Sequence, residues 1–202
     1  MRRTTTAALA ALLLLSCGTE GNREAQALID RYVALHRAHD LEGLLAMHSE
    51  DSVFVLPGKK PIRGRRALAD LFEWDFVMET ELEMHGIERE GDTIRVASIT
   101  ERNAFFRALG LDGAVYRPGT RFVLRGGLIA ATYPAPLTAA TLEAGMPAYR
   151  EFLAWLDETH PGLRPELFPE TVVRHDARRA RVLRELLDEW PGRRALRTVE
   201  PR

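Results

Sequence analysis

The chain has 202 residues with 28 basic and 29 acidic side chains, so charge nearly cancels and no electrostatic footprint for nucleic acid is present. This length holds one domain with a sizeable core plus an addition. Cys17 is the only cysteine, which excludes a disulfide within one chain.

Met1-Arg2-Arg3 is a short positive segment, and Ala7 to Leu15 is an unbroken apolar run. The run has the length of a signal-peptide hydrophobic region and is too short to span a bilayer. It leads into Leu14-Leu15-Ser16-Cys17-Gly18, which resembles a bacterial lipobox. The resemblance implies a lipoprotein signal peptide over 1–16 and a thioether-linked diacyl group on Cys17. Cleavage before Cys17 then exposes an amino group that takes a further acyl chain such as palmitate. Several chains hold a protein stably where one gives marginal binding. The expected location is the bacterial cell envelope, with the chain lipid-anchored in the membrane and facing the periplasm from the outer membrane in a Gram-negative cell. The competing reading is an ordinary secretory signal with an incidental cysteine.

Residues 17–24 read as a tether. Glu24 to His39 has helical periodicity in Leu28, Tyr32, Leu35 and His36. Asp40 is suited to cap a short helix over Leu41 to Met47. His48 to Asp51 reads as a turn and Ser52 to Leu56 as a short strand, stopped by Pro57-Gly58. A third helix is predicted from Arg65 to Phe72 or Phe76, and a strand over Thr80 to Glu90. Gly91-Asp92 turns the chain into a long strand, Asp92 to Phe106. After a loop, Gly119 to Tyr133 forms a hairpin around Gly126-Gly127. Helices followed by strands indicate an α+β class. Beyond Pro134-Ala135-Pro136, Pro147 suits the first turn of a helix over Ala148 to Glu158. Pro161 to Pro169 reads as an irregular connection. Asp176 caps a last helix to Trp190, whose Arg178, Arg179, Arg181 and Arg184 read as a solvated face, with contact to anionic lipid as the alternative.

His39-Asp-Leu-Glu-Gly-Leu-Leu-Ala-Met47, Ser49-Glu-Asp-Ser-Val-Phe-Val-Leu-Pro-Gly58, Pro61-Ile-Arg-Gly-Arg-Arg-Ala-Leu68 and Gly127-Leu-Ile129 resemble, in order and spacing, the NTF2-like superfamily in its SnoaL-like branch. The resemblance covers residues 25–135. It implies an NTF2-like cone: a curved antiparallel sheet with three N-terminal helices, enclosing a pocket and often dimeric through the outer sheet face. Residues 136–192 then form a C-terminal helical extension and 193–202 a tail.

The expected site is that pocket. The even-numbered face of the long strand opens with Ile94 and Val96 and is therefore taken as inward, carrying Ser98, Thr100 and Arg102. With Phe54, Trp74, Met84 and Thr132 these line the expected cavity. A buried Arg102 needs an acceptor, either a ligand carboxylate or a protein one such as Asp75; the alternative is a rim position. Limonene-type epoxide hydrolases of the superfamily place two carboxylates around such an arginine. Ala104 and the Ala130 to Pro134 segment supply none, so that activity is disfavoured. Ketosteroid-isomerase-like or SnoaL-like chemistry needs one carboxylate in an apolar pocket. Glu101, with Asn103 and Tyr133 beside it, fits only where a β-bulge reverses the strand. The six histidines show no metal-ligand spacing, so neither metal nor cofactor is expected. Three readings remain: a non-catalytic pocket for a small apolar or amphipathic molecule, which leads; an acid–base isomerase, cyclase or dehydratase; and a structural or interaction module whose cone is filled.

Overall fold

In the computed structural model the described residues are 6–169 and 175–192, excepting the side chains of 6–19. The leader cleavage and the Cys17 lipidation fall outside what is described, as does the 193–202 tail. Among the described residues no helix is long and apolar enough to cross a membrane.

Helix α1 (Thr6–Arg37) buries Ala25, Ile29, Tyr32 and His36, a stripe at three- and four-residue spacing. Asp40 caps α2 (Leu41–Ala46) by accepting from the Gly43 amide at 2.8 Å. Strand β1 (His48–Phe54) replaces the turn expected over His48 to Asp51 and pairs with the short β2 (Ile62–Arg63). Its first residue is held by Leu44, whose carbonyl lies 2.9 Å from His48 Nδ1. Helix α3 (Arg65–Val77) follows, then the antiparallel pair β3 (Glu81–Glu90) and β4 (Thr93–Arg102) joined through Gly91-Asp92.

The long strand ends earlier than expected. Asn103 accepts from the Phe106 amide at 2.8 Å and caps a one-turn helix, α4 (Ala104–Ala108). The loop beyond contains β5 (Ala114–Tyr116), paired with β4. Strands β6 (Thr120–Arg125) and β7 (Leu128–Tyr133) form the hairpin, with Gly126 and Gly127 both at positive φ as a tight two-residue turn requires. The sheet order is β2-β1-β7-β6-β4-β3, with β1 parallel to β7 and β5 beside β4. The fold is α+β, a curved open sheet with helices α1 to α3 packed against one side.

The C-terminal extension is more helical than its prolines suggest. Thr138 caps α5 (Ala139–Thr159), which runs through Pro147 instead of starting there. The Pro-rich connection contains α6 (Leu163–Leu167), and Asp176 caps α7 (Ala177–Glu189). These helices share a second core with the sheet domain, in which Met78, Ala104 and Leu109 meet Phe152, Leu156, Leu183 and Trp190. Arg184 is not a solvated charge: it donates to the Val77 carbonyl at 3.0 Å and pairs with Glu79 at 2.8 Å, beside Arg107. That ion network clasps α7 to the end of α3.

Candidate functional site

The cone encloses a cavity of about 460 Å³. Phe54, Phe72, Trp74, Met84 and Phe122 line it from the sheet domain, and Leu142, Tyr149 and Phe168 from the extension. The third expectation, a cone filled by its own side chains, does not match an opening of this size.

The register of β3 against β4 is continuous from Glu81↔Arg102 to Glu90↔Thr93, yet the inward face changes parity partway. Ile94 and Val96 are buried at one end; Ile99, Glu101 and Asn103 face the cavity at the other. β3 switches with it, from Leu82 and Met84 to Ile87. The switch lies where Gly86 (φ 67°) faces Ala97, so close that a Cβ on Gly86 would sit 2.6 Å from that of Ala97. A left-handed glycine lets both strands turn over together without an inserted residue. The reversal that Glu101 requires is therefore present, produced by a paired kink and not by a bulge.

This corrects the expected lining. Arg102 points away from the cavity and pairs with Glu83 at 2.8 Å on the half-exposed outer face, and Thr100 likewise lies outside the lining. Simple alternation from Ile94 misplaced both. Phe54, Trp74, Met84 and Thr132 do line the cavity. Tyr133 faces outward, with the Arg121 guanidinium 5.1 Å from its ring centre. Its anticipated place beside Glu101 is taken by Tyr116 of β5, in a segment read as loop. The short apolar run Ala114-Val115-Tyr116, between Gly113 and Arg117, was the available signal.

Glu101 is held at both oxygens. Asn103 Nδ2 donates to Oε1 at 2.6 Å, and the Tyr116 hydroxyl donates to Oε2 at 2.5 Å. Asn103 thus orients the carboxylate with one end of its amide and caps α4 with the other. Burial, and next the negative charge of Asp75, raise Glu101 from its ordinary 4.5 to about 7, against the downward pull of the two hydrogen bonds. Asp75 also lines the cavity and pairs with the buried His36 across 3.2 Å. Tyr32 completes the polar floor; its hydroxyl pKa is raised by burial and by Asp75 and Glu101. The Tyr116 hydroxyl is raised for the same kinds of reason. Among the described residues no group of three or more His, Cys, Asp or Glu side chains is placed to hold a metal ion.

A curved α+β cone around a cavity is the architecture of NTF2-like proteins. The model of the SnoaL-like domain matches residues 29–132, half of the chain, and the protein belongs to that family. Solved structures with this fold include an LEH-like epoxide hydrolase of M. tuberculosis (15% identity, 66% of this chain and 97% of that one, TM-score 0.50). Another is the epoxide hydrolase/cyclase-like enzyme SalBIII of salinomycin pyran-ring formation (15% identity, 59% and 94%, TM-score 0.51). An NTF2-like protein from Burkholderia xenovorans is similar at 19% identity, 61% and 96% coverage and TM-score 0.46. At these identities the likeness is one of fold. No curated protein matches the sequence.

Proposed function

We propose that this protein is a proton-transfer enzyme acting on a small, largely apolar molecule held in the cone, with Glu101 as the general acid–base. The observation that carries this is a cavity-facing carboxylate whose oxygens are both held by donors, Asn103 and Tyr116, and whose pKa is about 7. A group of that pKa is shared between its two forms near neutral pH, so it can take a proton and return it in one cycle. Each carboxylate oxygen keeps a lone pair beyond the bond it already accepts. Ionised Glu101 removes a proton from a carbon beside a carbonyl, and the protonated group delivers it to another carbon or to a departing hydroxyl. Isomerisation, cyclisation and dehydration all contain such a step. The apolar walls exclude water, which preserves the raised pKa.

The leading expectation from the sequence, a non-catalytic pocket, rested on Glu101 facing outward. Its inward position favours catalysis. The test is deuterium exchange: enolisable ketones small enough for the cavity are incubated with protein in D2O and followed by NMR. Wild type should accelerate exchange and Glu101→Gln should not. Equal exchange with both proteins would refute the assignment.

We further infer that the protein works from a lipid anchor at Cys17, supported by the apolar run and the Leu15-Ser16-Cys17 junction. Mass spectrometry of the mature N-terminus decides; an unmodified Cys17 on the exported protein removes the anchor.

A further inference from the structure

His36 lies behind the cavity lining, not in it. It is 2% exposed and is wedged among the rings of Tyr32, Phe72 and Phe76. Its Nε2 is 3.2 Å from Oδ2 of Asp75, while its Nδ1 is buried without a hydrogen-bond partner. A proton on Nδ1 alone would leave that N–H unpaired and set a lone pair against the carboxylate. Nε2 therefore carries hydrogen and donates to Asp75. This contact takes up one oxygen of the carboxylate. Among the described residues nothing donates to the other, Oδ1, and the Asp75 side chain keeps 22% of its surface open. Asp75 lines the cavity, and its charge is felt at Tyr32, Glu101, Tyr116 and His175, which line it as well. Glu101 by contrast already has a donor on each oxygen. A carboxylate oxygen with no donor is a strong acceptor left open to a ligand.

We propose that Asp75, fixed by His36, is a second substrate-binding group of the cavity, an acceptor for a hydroxyl of the molecule on which Glu101 acts. This rests on the proton-transfer reading and narrows its substrate. An ionised carboxylate only accepts, so it favours a molecule that brings an O–H and disfavours one whose oxygens are all carbonyl or ether. The apolar walls strengthen the choice, because a hydrogen bond left unmade there is not replaced by water. The substrate class is accordingly an apolar hydroxy compound. His36 is a positioning residue in this arrangement: it decides which way a group at position 75 turns. In Asp75→Asn the amide oxygen would keep the His36 hydrogen and the amide nitrogen would face the cavity, exchanging an acceptor for a donor.

The probes are 2-naphthol, 2-fluoronaphthalene and 2-acetylnaphthalene, which share a skeleton and offer the cavity a hydroxyl, no donor, and a carbonyl acceptor. Binding is titrated by fluorescence. Wild type should bind 2-naphthol about tenfold more tightly than 2-fluoronaphthalene, the worth of one hydrogen bond to a charged group. Asp75→Asn should erode that preference and raise the affinity for 2-acetylnaphthalene, an inversion that a merely structural role for Asp75 would not produce. Glu101→Gln should keep the wild-type order. Equal binding of the first two probes by wild type, an unchanged preference in Asp75→Asn, or its loss in Glu101→Gln overturns the assignment to Asp75. Absence of 2-naphthol binding to wild type does the same; deuterium exchange judges Glu101 separately in each case. Should Asp75→Asn fail to fold, the Asp75 carboxyl carbon resonance of wild type decides. It should move on adding 2-naphthol and stay fixed with 2-fluoronaphthalene; equal movement with both, or none with either, refutes the proposal.

Discussion

Gly86 faces Ala97 across β3 and β4 at the point where both strands turn their inward faces over, and the side chain of Glu101 reaches the cavity because of it. Gly86→Ala introduces a Cβ at a φ of 67° and within 2.6 Å of Ala97 Cβ. It should cost about 1–3 kcal/mol. Ala97→Gly added to it should relieve the contact but not the backbone strain, giving partial rescue in thermal unfolding. Full rescue, or no loss in the single variant, would show that the kink does not depend on glycine.

Glu101 makes stability depend on pH. Its folded pKa of about 7 lies above the ordinary 4.5, so between these values the folded state holds a proton that the unfolded chain releases. Stability conferred by this group is therefore lost as pH rises from 4.5 through 7. Glu101→Gln, which cannot ionise, should gain on wild type across that window and keep a constant advantage above it. Denaturant unfolding at pH 4.5, 6 and 8 measures the difference; parallel curves would mean an unperturbed carboxyl.

Removing a donor should move the titration of Glu101 upward. Tyr116→Phe deletes the hydrogen bond to Oε2 that holds the pKa down. The acidic limb of the rate profile, where Glu101 takes up its proton, should shift to higher pH, and the carboxyl carbon resonance of Glu101 should follow the same shift. A downward shift would contradict the cause assigned here.

Asn103 does two things, and substitutions separate them. Asn103→Asp keeps an acceptor for the Phe106 amide but replaces the donor to Glu101 with a second negative charge. It should spare α4 and raise the Glu101 pKa. Asn103→Ala loses the cap as well and should cost about 0.5–2 kcal/mol more in stability than Asp. Thermal melts and the pH profile read the two effects independently.

Arg102 should be dispensable. It pairs with Glu83 on the outer face with both partners partly in solvent, and such a pair contributes no more than about 1 kcal/mol. Arg102→Ala should leave exchange activity and its pH profile unchanged. A large loss of activity would place Arg102 in the reaction.

The fold was legible because its signals are local and repeated: the α1 stripe, the Asp40 and Asp176 caps, and the Gly91-Asp92 and Gly126-Gly127 turns each stand in a few consecutive residues. The site was legible in residue types but not in facing. Glu101 and Asn103 were singled out, yet their direction depends on how Gly86 meets a residue eleven positions away, and strand alternation carries no warning of it. An isolated Gly within the Glu81 to Glu90 run was the available sign. Tyr116 was missed because three residues between two glycine-containing loops give too short a pattern. His175 could not be placed at all, since it reaches the cavity only through the docking of α7.

The extension supplies part of the cavity lining, Leu142, Tyr149, Phe168 and His175 among it, while Glu101 stays on the sheet. The proposed acid–base group and part of the surface that would meet its substrate thus lie on different stretches of chain. The helices after Tyr133 can change sequence, and with it the molecule accepted, while the carboxylate and its two donors remain untouched. The same separation carries a constraint: Met78 and Ala104 share a core with Phe152 and Trp190, so the packing of the sheet domain beside Glu101 and that of the extension depend on each other. A chain cut at Tyr133 would expose that core and open the cavity on the side that Leu142, Tyr149 and Phe168 line.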